Sequence, residues 1–332
     1  MRCLLSIDAG GTKCQTIAVR EDGALVGWGR SGFPDAVESA NVHGGSGRTI
    51  ESIGGAITQA LRDVECDELH IVGGYRERSL DALIATRYQG GITYHPCHEW
   101  EGILDLVGLD YGVIASAGTG AFVHVTGKDQ SHFHLDSLGP ILGDWGSAYH
   151  IGMLAVQAVA KYDWHPRHRT SLKDAVYRGL GIEETTGRGT SLIFIFERVK
   201  DRAQIADLAR IVNDEARRGD AVADAVLKEA ASSLAQTVYD AYDGLQLNGC
   251  DYTLVGTGGV IERSDIYRQY LCQTVREFAP DLKLARTDLP HVVGTALSAL
   301  YSIANGDLDA ARDRLIREAR EVFSSDSKEL ST

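Results

Sequence analysis

The chain has 332 residues, with 46 acidic and 33 basic side chains and a net charge of −13 at pH 7. This length is typical of about two domains, and the 44% of hydrophobic residues is sufficient for buried cores. The acidic balance excludes broad, non-specific binding of nucleic acid, which needs a basic surface, but it permits an anionic ligand held by backbone amides.

Targeting and redox signals are weak. The apolar run before Asp8 is shorter than a signal peptide, and no segment approaches the roughly 18 apolar residues of a membrane span. The six cysteines are scattered and form no C-x-x-C pair. We therefore expect a cytoplasmic protein with reduced thiols that binds neither membranes nor nucleic acid.

The first part of the chain alternates predicted strands with predicted helices. Short apolar runs bounded by glycine or polar turns indicate strands, and apolar residues at helical spacing indicate helices. The predicted strands are 4–7, 15–20, 24–29, 69–74 and 91–95, and the predicted helices are 47–64 and 79–88. Strands separated by helices are typical of an α/β domain.

The pattern restarts at 111–127, which has the layout of the opening stretch: strand, small-residue turn, strand. Two such copies predict a duplicated fold with two lobes. The chain is then mostly helical until 251–265, which reads as strand, glycine turn and helix. We predict a first lobe of residues 1–112 and a larger second lobe of residues 113–332. The second lobe would carry a helical insertion at about 148–248, and its final helices could pack back toward the first lobe.

Three glycine turns follow predicted strands, at 8–12, 117–120 and 256–259. Small residues at a strand end expose backbone N–H groups that attract phosphate oxygens, and an adjacent aspartate can hold Mg²⁺ through water. Each turn alone is also compatible with an ordinary hairpin or strand end. Their order on this background predicts a nucleotide site, although neither a Walker A loop nor a Rossmann fingerprint is present.

Five segments resemble the BadF/BadG/BcrA/BcrD ATPase family, and within it the N-acetylglucosamine kinase branch of the actin/hexokinase/Hsp70 superfamily. They are IDAGGTK (7–13), ASAGTGAF (115–122), GPILGDWGSAYHIG (139–152), LVGTGGV (254–260) and PHVVGTALSAL (290–300). The resemblance spans nearly the whole chain. It implies an α/β fold of two RNase-H-like lobes, ATP in the cleft between them, a closing motion and often a homodimer.

The resemblance also implies roles for individual residues. Asp8 would serve catalysis by holding Mg²⁺ through water, and Glu99 would be the general base. Glu99 stands 19 residues before Gly118, which is the spacing of the catalytic aspartate in similar sugar kinases. The implied nucleotide-binding residues are Gly10, Gly11, Thr12 and Lys13 at the first phosphate site, Gly118, Thr119 and Gly120 at the second, and Gly258 and Gly259 near adenosine.

The acceptor side departs from the family pattern. Trp145 replaces an acid in "GDWGS", Leu138 replaces a tryptophan in "SLG", and Glu99 replaces an aspartate. Asn41 is the best substitute for a missing sugar contact in the segment 32–45. The expected acceptor-binding residues are therefore Asn41, Glu101, Asp144 and Trp145, with Glu101 also the alternative to Glu99 as base. These departures leave the identity of the sugar open.

Simpler structural explanations exist for several of these groups. Glu99 could cap a helix beginning near Trp100, and Asp144 could cap the helix beginning near Ser147. "HPCHEWE" (95–101) lacks the second cluster of a zinc site, so a catalytic acid is favoured there over a metal. We interpret the histidines at 132 and 134, and the segment "WHPRHR" (164–169), as solvated surface.

The leading interpretation is an ATP-dependent kinase acting on a small sugar, with N-acetylglucosamine or glucosamine as the first expectation. The alternative is a nucleotide-dependent regulatory ATPase that acts on a partner protein, and a third possibility is a non-catalytic sugar or nucleotide sensor. The redox ATPase branch of the family is disfavoured, because it holds an iron–sulfur cluster with cysteines that the central stretch of this chain lacks.

Overall fold

Two five-stranded sheets organise the chain. The computed structural model describes residues 1–9, 13–32, 47–73, 78–86, 88, 90–98, 100–182 and 202–329. The first sheet contains β1 (Arg2–Ala9), β2 (Lys13–Arg20), β3 (Leu25–Gly32), β4 (Glu68–Gly73) and β5 (Gly91–His95), in the order β3-β2-β1-β4-β5. The second contains β6 (Gly112–Ala117), β7 (Ala121–Thr126), β8 (His132–Asp136), β9 (Thr253–Thr257) and β10 (Lys283–Arg286), in the order β10-β9-β6-β7-β8.

The two sheets share their strand orientations as well as their order. β1 pairs antiparallel with β2 and parallel with β4, and β6 pairs antiparallel with β7 and parallel with β9. The outer strands repeat this correspondence, since β3 and β8 are antiparallel to their neighbours whereas β5 and β10 are parallel to theirs. The duplication predicted from the two strand–turn–strand repeats is therefore present in the topology.

Helices fill most of the remaining described residues. They are α1 (Gly47–Ala60), α2 (Arg78–Ala85), α3 (Ala148–Ala160), α4 (Leu172–Gly179), α5 (Arg202–Arg217), α6 (Ala221–Gly244), α7 (Gly259–Arg263), α8 (Asp265–Phe278), α9 (His291–Ala299) and α10 (Leu308–Glu329). Short 3₁₀ helices lie at Asp105–Val107, Pro166–His168 and Leu300–Ser302. Within the described ranges, no helix combines the length and apolar character needed to cross a membrane.

The described residues divide into two compact units. Unit 1 holds those up to Asp110 together with those from Thr287 onward, and unit 2 holds Tyr111–Arg286. The sequence predicts a boundary at 112/113, which lies two residues from the observed division. The residues from Thr287 onward, which the sequence assigned to the second lobe with the option of packing back, belong to unit 1.

The sheet of unit 1 is covered on both faces, because side chains alternate along each strand. Leu5 of β1 belongs to one cluster of buried residues, with Ile57 of α1. The neighbouring Leu4 belongs to a different cluster, with Leu297 of α9 and Leu315 of α10. The two helices nearest the C-terminus thus cover one face of the strand nearest the N-terminus.

Unit 2 has one continuous cluster of buried residues. It joins the strand residues to the long helices through side chains such as Ile151 in α3, Val212 in α5, Leu234 in α6 and Tyr267 in α8. The 24-residue helix α6 begins at Asp220, whose carboxylate accepts hydrogen bonds from the Val222 and Ala223 amides at 2.9 Å each. This cap satisfies two of the amides that a helix leaves without intrahelical partners.

Candidate active site

The second and third glycine turns lie side by side in unit 2. β6 and β9 are adjacent and parallel, with Ser116 opposite Thr257, so both strands end at the same edge of the sheet. Gly258 follows β9 with φ of +93°, and a Cβ atom there would lie 2.5 Å from the carbonyl oxygen of Ala117. Only glycine tolerates both the backbone angle and the close approach, which explains the residue type at this position.

The turn from Gly118 to Gly120 is fixed to the start of α3. The Gly118 amide donates to the Gly120 carbonyl at 2.9 Å, and the Gly118 carbonyl accepts from the Ala148 amide at 2.8 Å. The Thr119 carbonyl accepts from Tyr149 at 3.3 Å. Within the part of unit 2 that the structure describes, the Thr119 and Gly120 amides donate to no protein acceptor. Two backbone donors are therefore available to an anion at this turn.

Gly258 also begins the short helix α7. Its amide donates to the Glu262 side chain at 3.2 Å, and its carbonyl accepts from the Glu262 amide at 2.9 Å. A Cβ atom at Gly259 would meet nothing within 4 Å, so the space beside this residue is open. The third turn thus combines one glycine packed tightly against β6 with a second that leaves room for a ligand.

Asp144 has an unusual backbone that a second aspartate holds in place. Its φ is +60°, a left-handed conformation that is uncommon outside glycine. The Asp136 carboxylate accepts from the Asp144 amide at 2.6 Å and from the Trp145 amide at 2.9 Å. Asp136 comes at the end of β8, so the strand fixes the loop that carries Asp144.

The Asp144 side chain is buried, with 3% of the residue exposed. One carboxylate oxygen accepts from the Ala121 amide at 3.1 Å, and the other accepts from Nη2 of Arg202 at 2.7 Å. A Cβ atom at Gly120 would lie 2.6 Å from the same carboxylate, which therefore packs directly on the Gly118–Gly120 turn. Both carboxylate oxygens of Asp144 are therefore held in place by neighbours within unit 2.

The cap of α3 is Ser147, so the alternative that Asp144 caps this helix is wrong. The Ser147 hydroxyl accepts from the His150 amide at 3.1 Å. Serine in this position satisfies an amide of the first turn while the Asp144 carboxylate contacts Ala121 and Arg202 instead. The carboxylate of Asp144 is therefore not needed for the helix end.

Trp145 and His150 pack against each other beside the Asp144 loop. The Trp145 and His150 rings pack edge-to-face with their centroids 5.4 Å apart, and 48% of Trp145 remains exposed. His150 Nδ1 accepts from the Gly146 amide at 3.0 Å. Burial lowers the pKa of His150, which favours the neutral ring that this hydrogen bond requires. Trp145 thus presents an apolar surface next to the expected acceptor residue.

In unit 1, Asp8 lies near the end of β1 and close to His291 at the start of α9. The distance from the Asp8 carboxylate to His291 Nδ1 is 3.7 Å, and both side chains are partly exposed. Among the described residues, no group of three or more His, Cys, Asp or Glu side chains could hold a metal ion. A single accessible carboxylate fits Mg²⁺, which keeps several waters and takes few protein ligands.

The segment that carries Glu101 packs against α9. The Glu101 carboxylate accepts from the His98 amide at 3.1 Å, and Cys97 Sγ lies 3.9 Å from the Ser298 hydroxyl. A Cβ atom at Gly102 would collide with the Gly294 carbonyl, so the backbones of segment and helix are in contact. Burial, assisted by Glu101, raises the pKa of Cys97 to about 11. The raised pKa favours the neutral thiol of Cys97 at neutral pH.

Several expected site residues fall outside the described part of the chain. They are Gly10, Gly11, Thr12, Asn41 and Glu99. For Lys13 the structure describes only its place as the first residue of β2. The roles of these residues stay predictions.

Sequence reasoning missed four features of the sites. Arg202, Asp136 and His291 received no role, although His291 belongs to the quoted segment "PHVVGTALSAL". His132 is exposed and His134 partly exposed, as the interpretation of a solvated face expects, but that interpretation missed their contacts with the fully buried His124, at ring-nitrogen distances of 3.2 and 3.3 Å. Each nitrogen of His124 faces a different histidine, so the three rings do not converge on one point.

The chain is similar to known proteins along most of its length. The model of the BadF/BadG/BcrA/BcrD ATPase family matches residues 5–279. The N-acetyl-D-glucosamine kinase of Dictyostelium discoideum is 25% identical over 315 residues, covering 90% of this chain and 98% of that protein. The N-acetylmuramic acid/N-acetylglucosamine kinase of Clostridium acetobutylicum is 29% identical over 167 residues, covering 50% of this chain and 52% of that protein.

The fold is also similar to that of solved structures. A Chromobacterium violaceum protein described as a candidate N-acetylglucosamine kinase superposes with a TM-score of 0.64 at 21% identity, covering 90% of this chain and 99% of that one. Together with the two equivalent sheets, this similarity confirms the predicted α/β fold of two RNase-H-like lobes.

Proposed function

Because the chain belongs to the BadF/BadG/BcrA/BcrD ATPase family, we propose that it is an ATP-dependent kinase that phosphorylates a hydroxyl of a small sugar. N-acetylglucosamine or glucosamine is the proposed acceptor. The names of the Dictyostelium and Clostridium relatives support an amino sugar. The departures around Trp145 keep the choice among amino sugars an experimental question.

The observation that carries the proposal is the pairing of two glycine turns at one edge of the second sheet. Gly258 packs on the backbone of Ala117, and the adjacent turn holds two amides that have no protein acceptor among the described residues. Phosphoryl transfer depends mainly on positioning and on neutralising phosphate charge, and backbone amides do both. In this proposal the turn at Gly118–Gly120 binds phosphate oxygens, and Gly258 and Gly259 lie beside the nucleoside.

Unit 1 would supply the carboxylates. The accessible Asp8 would hold Mg²⁺ through water, and the ion would supply neutralisation of the phosphate charge when bound. His291, 3.7 Å away, would help to orient the Asp8 carboxylate. Glu99 is the proposed general base for the attacking hydroxyl, and Glu101 is the alternative.

Asp144 is the proposed acceptor ligand of unit 2. Its carboxylate is held by Ala121 and Arg202, and its backbone is held by Asp136. Because both the side chain and the backbone of Asp144 are held in place, its carboxylate can orient a sugar hydroxyl without losing further conformational freedom. The exposed Trp145 ring would cover an apolar face of the sugar.

The test is a screen of hexoses, amino sugars and their N-acetyl forms, in which formation of ADP and of a phosphorylated sugar are both measured. We expect an amino sugar to stimulate ADP release strongly and to gain one phosphoryl group. ADP release that no sugar stimulates would instead indicate a regulatory ATPase, and nucleotide binding without turnover would indicate a sensor.

Asp8→Asn provides the matched control for this screen. The variant should retain the fold and bind nucleotide, but it should lose most turnover, because the Mg²⁺ site loses its charged ligand. Near wild-type turnover in this variant would show that Asp8 has only a structural role in the turn.

A further inference from the structure

Arg202 forms an ion pair with the buried Asp144 but is itself partly exposed. Its Nη2 donates to the Asp144 carboxylate at 2.7 Å, yet 45% of the Arg202 side chain is exposed, against 4% for Asp144. Arginine carries five N–H donors in a planar fork. The contact with Asp144 therefore fixes one part of the guanidinium, while another part faces away from the core.

The same guanidinium lies against the phosphate-binding turn. A Cβ atom at Gly120 would be 3.0 Å from Nη2 of Arg202 and 2.6 Å from the Asp144 carboxylate. No side chain at position 120 separates the guanidinium from the backbone of the turn. The Thr119 and Gly120 amides and the Arg202 donors thus belong to one small region of unit 2.

The charges in this region create a need for a cation. Asp144 places its carboxylate beside the turn, and the carboxylate of Asp136 contacts the Asp144 amide, so the nearby negative charge would oppose an anionic ligand. Arginine suits such a place because its planar fork matches the geometry of phosphate and carboxylate oxygens. The ion pair with Asp144 explains the position of one end of the Arg202 guanidinium. It does not explain the exposed part of the side chain.

We propose that Arg202 is a substrate-binding residue that contacts an anionic oxygen of a bound substrate at the Gly118–Gly120 turn. This inference rests on the proposed kinase function. Two sources share the required chemistry: a phosphate of the nucleotide, or a carboxylate on the acceptor sugar. Arg202 would then link the phosphate-binding turn with the acceptor residue Asp144.

The first experiment compares Arg202→Gln, Arg202→Lys and the control Arg210→Gln. Arg210 lies on the same helix and pairs with Asp207 at 2.8 Å in an exposed ion pair, so its loss removes an equal charge away from the site. Loss of one pre-positioned donor to a transferring group typically costs about 10²–10³ in rate, and we expect Arg202→Gln to fall in that range for kcat/KM. Arg202→Lys should recover part of the loss, and Arg210→Gln should stay near wild type.

The acceptor sugar is varied, and nucleotide binding is measured beside it, to separate the two sources. Kinetics with N-acetylglucosamine, which is neutral, are compared with those with N-acetylmuramic acid, which carries a carboxylate. Equal losses with both sugars, together with weaker ATP·Mg binding in calorimetry, would assign Arg202 to a phosphate. A loss confined to N-acetylmuramic acid would assign it to the acceptor.

A double-mutant cycle separates substrate binding from simple compensation of Asp144. Arg202→Gln leaves a buried carboxylate without its cation, and this can destabilise the fold by itself. In an Asp144→Asn background that charge is absent. We expect Arg202→Gln to cost a further tenfold or more in that background. A cost no larger than that of Arg210→Gln would overturn the proposal and leave Arg202 with a structural role.

Failure of the Arg202 proposal can be distinguished from failure of the kinase proposal. If no sugar stimulated ADP release by the wild-type protein, the kinase function would fall, but calorimetry with ATP·Mg would still test Arg202. Weaker nucleotide binding in Asp144→Asn/Arg202→Gln than in Asp144→Asn would support an anion-binding Arg202, and equal binding would overturn it.

Discussion

The two sheets share one topology but are enclosed by different parts of the chain. Unit 2 is continuous in sequence from Tyr111 to Arg286 among the described residues, and a single cluster fills its interior. Unit 1 has a cluster of buried residues on each face of its sheet. The helices α9 and α10, which follow unit 2 in sequence, supply much of one cluster. Strand order is therefore common to both units, whereas the covering of the sheets is not.

The functional turns differ in the same way. In unit 2 the turn after β6 is tied to α3 and packs beside the next glycine turn, so one unit brings two of the three glycine turns together. In unit 1 the carboxylate near the end of β1 is accompanied by a histidine that lies 283 residues later. In the proposed function, unit 2 mainly binds the substrates and unit 1 mainly supplies the reacting carboxylates. The following predictions test this division, from the largest effect to the smallest.

Loss of the proposed base in unit 1 should have the largest effect on turnover. Glu99→Gln keeps the size and most of the hydrogen bonding of the side chain but cannot accept a proton. Since a general base typically contributes about 10²–10⁴ in rate, we expect kcat to fall by that factor while ATP·Mg binding persists in calorimetry. Glu101→Gln is the matched control and should be mild. The reverse result would identify Glu101 as the base, and two mild results would argue against this mechanism.

Alanine substitutions at two adjacent glycines of unit 2 should have different effects on the stability of the fold. In Gly258→Ala the new Cβ would meet the Ala117 backbone at 2.5 Å with φ at +93°, and we expect a loss of about 2–5 kcal/mol in the free energy of unfolding. Nucleotide affinity should fall as well, because the two turns must move apart.

Gly259→Ala is the control for this prediction, since a Cβ atom there meets nothing within 4 Å. Chemical denaturation of both variants measures the difference in stability. Similar stability losses in the two variants would contradict the tight packing of Gly258 on β6.

Removal of the α3 cap should affect stability without affecting the acceptor. Ser147→Ala removes the bond to the His150 amide, and loss of such a cap typically costs about 1 kcal/mol. We expect a lower melting temperature in calorimetry with little change in the acceptor KM. A KM change of the size expected for Asp144→Asn would mean that the cap and the acceptor ligand are not separable.

The smallest effect concerns pH. Burial lowers the pKa of His150, so the unfolded chain binds a proton more readily than the native one. The associated stability is present above about pH 6.5 and is lost as the pH falls through the lower folded pKa. Glu229 and Asp136 lie near enough to oppose part of this shift. We expect acidification to lower the melting temperature less in His150→Gln than in the wild type, and an identical pH profile would refute the assignment.

The alternation of strands and helices was predictable because each element has its own apolar period. The glycine turns were also predictable, because Gly118 and Gly258 follow clear strand patterns. The partner of Asp144 was not, since Arg202 lies 58 residues away and no local pattern indicates which arginine returns to the loop. The sequence left a cap at Asp144 open as an alternative because Asp144 and Ser147 are both good cap residues, and only the fold decides between them.

The histidine cluster shows a related limit of sequence patterns. The alternation of His132 and His134 on β8 indicates one face of a strand, and a polar strand face is usually solvated. His124 lies in the run "AFVHVT", where the apolar neighbours hide its role. Pairing of His124 with His134 across the two strands is a matter of register, which the turn between β7 and β8 fixes only in three dimensions.

The late return of the chain to unit 1 has a consequence for protein synthesis. Domains usually fold in order as the ribosome releases them, at about 5–20 residues per second. Here Leu4 and Ile17 emerge long before their partners on α9 and α10. At those rates the nascent chain carries an uncovered apolar sheet face for roughly 15–60 seconds. Unit 2 can finish folding during this interval, so the later half of the molecule is complete before the earlier half. Any product that stops before α9 keeps that face uncovered and becomes a natural target for chaperones and proteases.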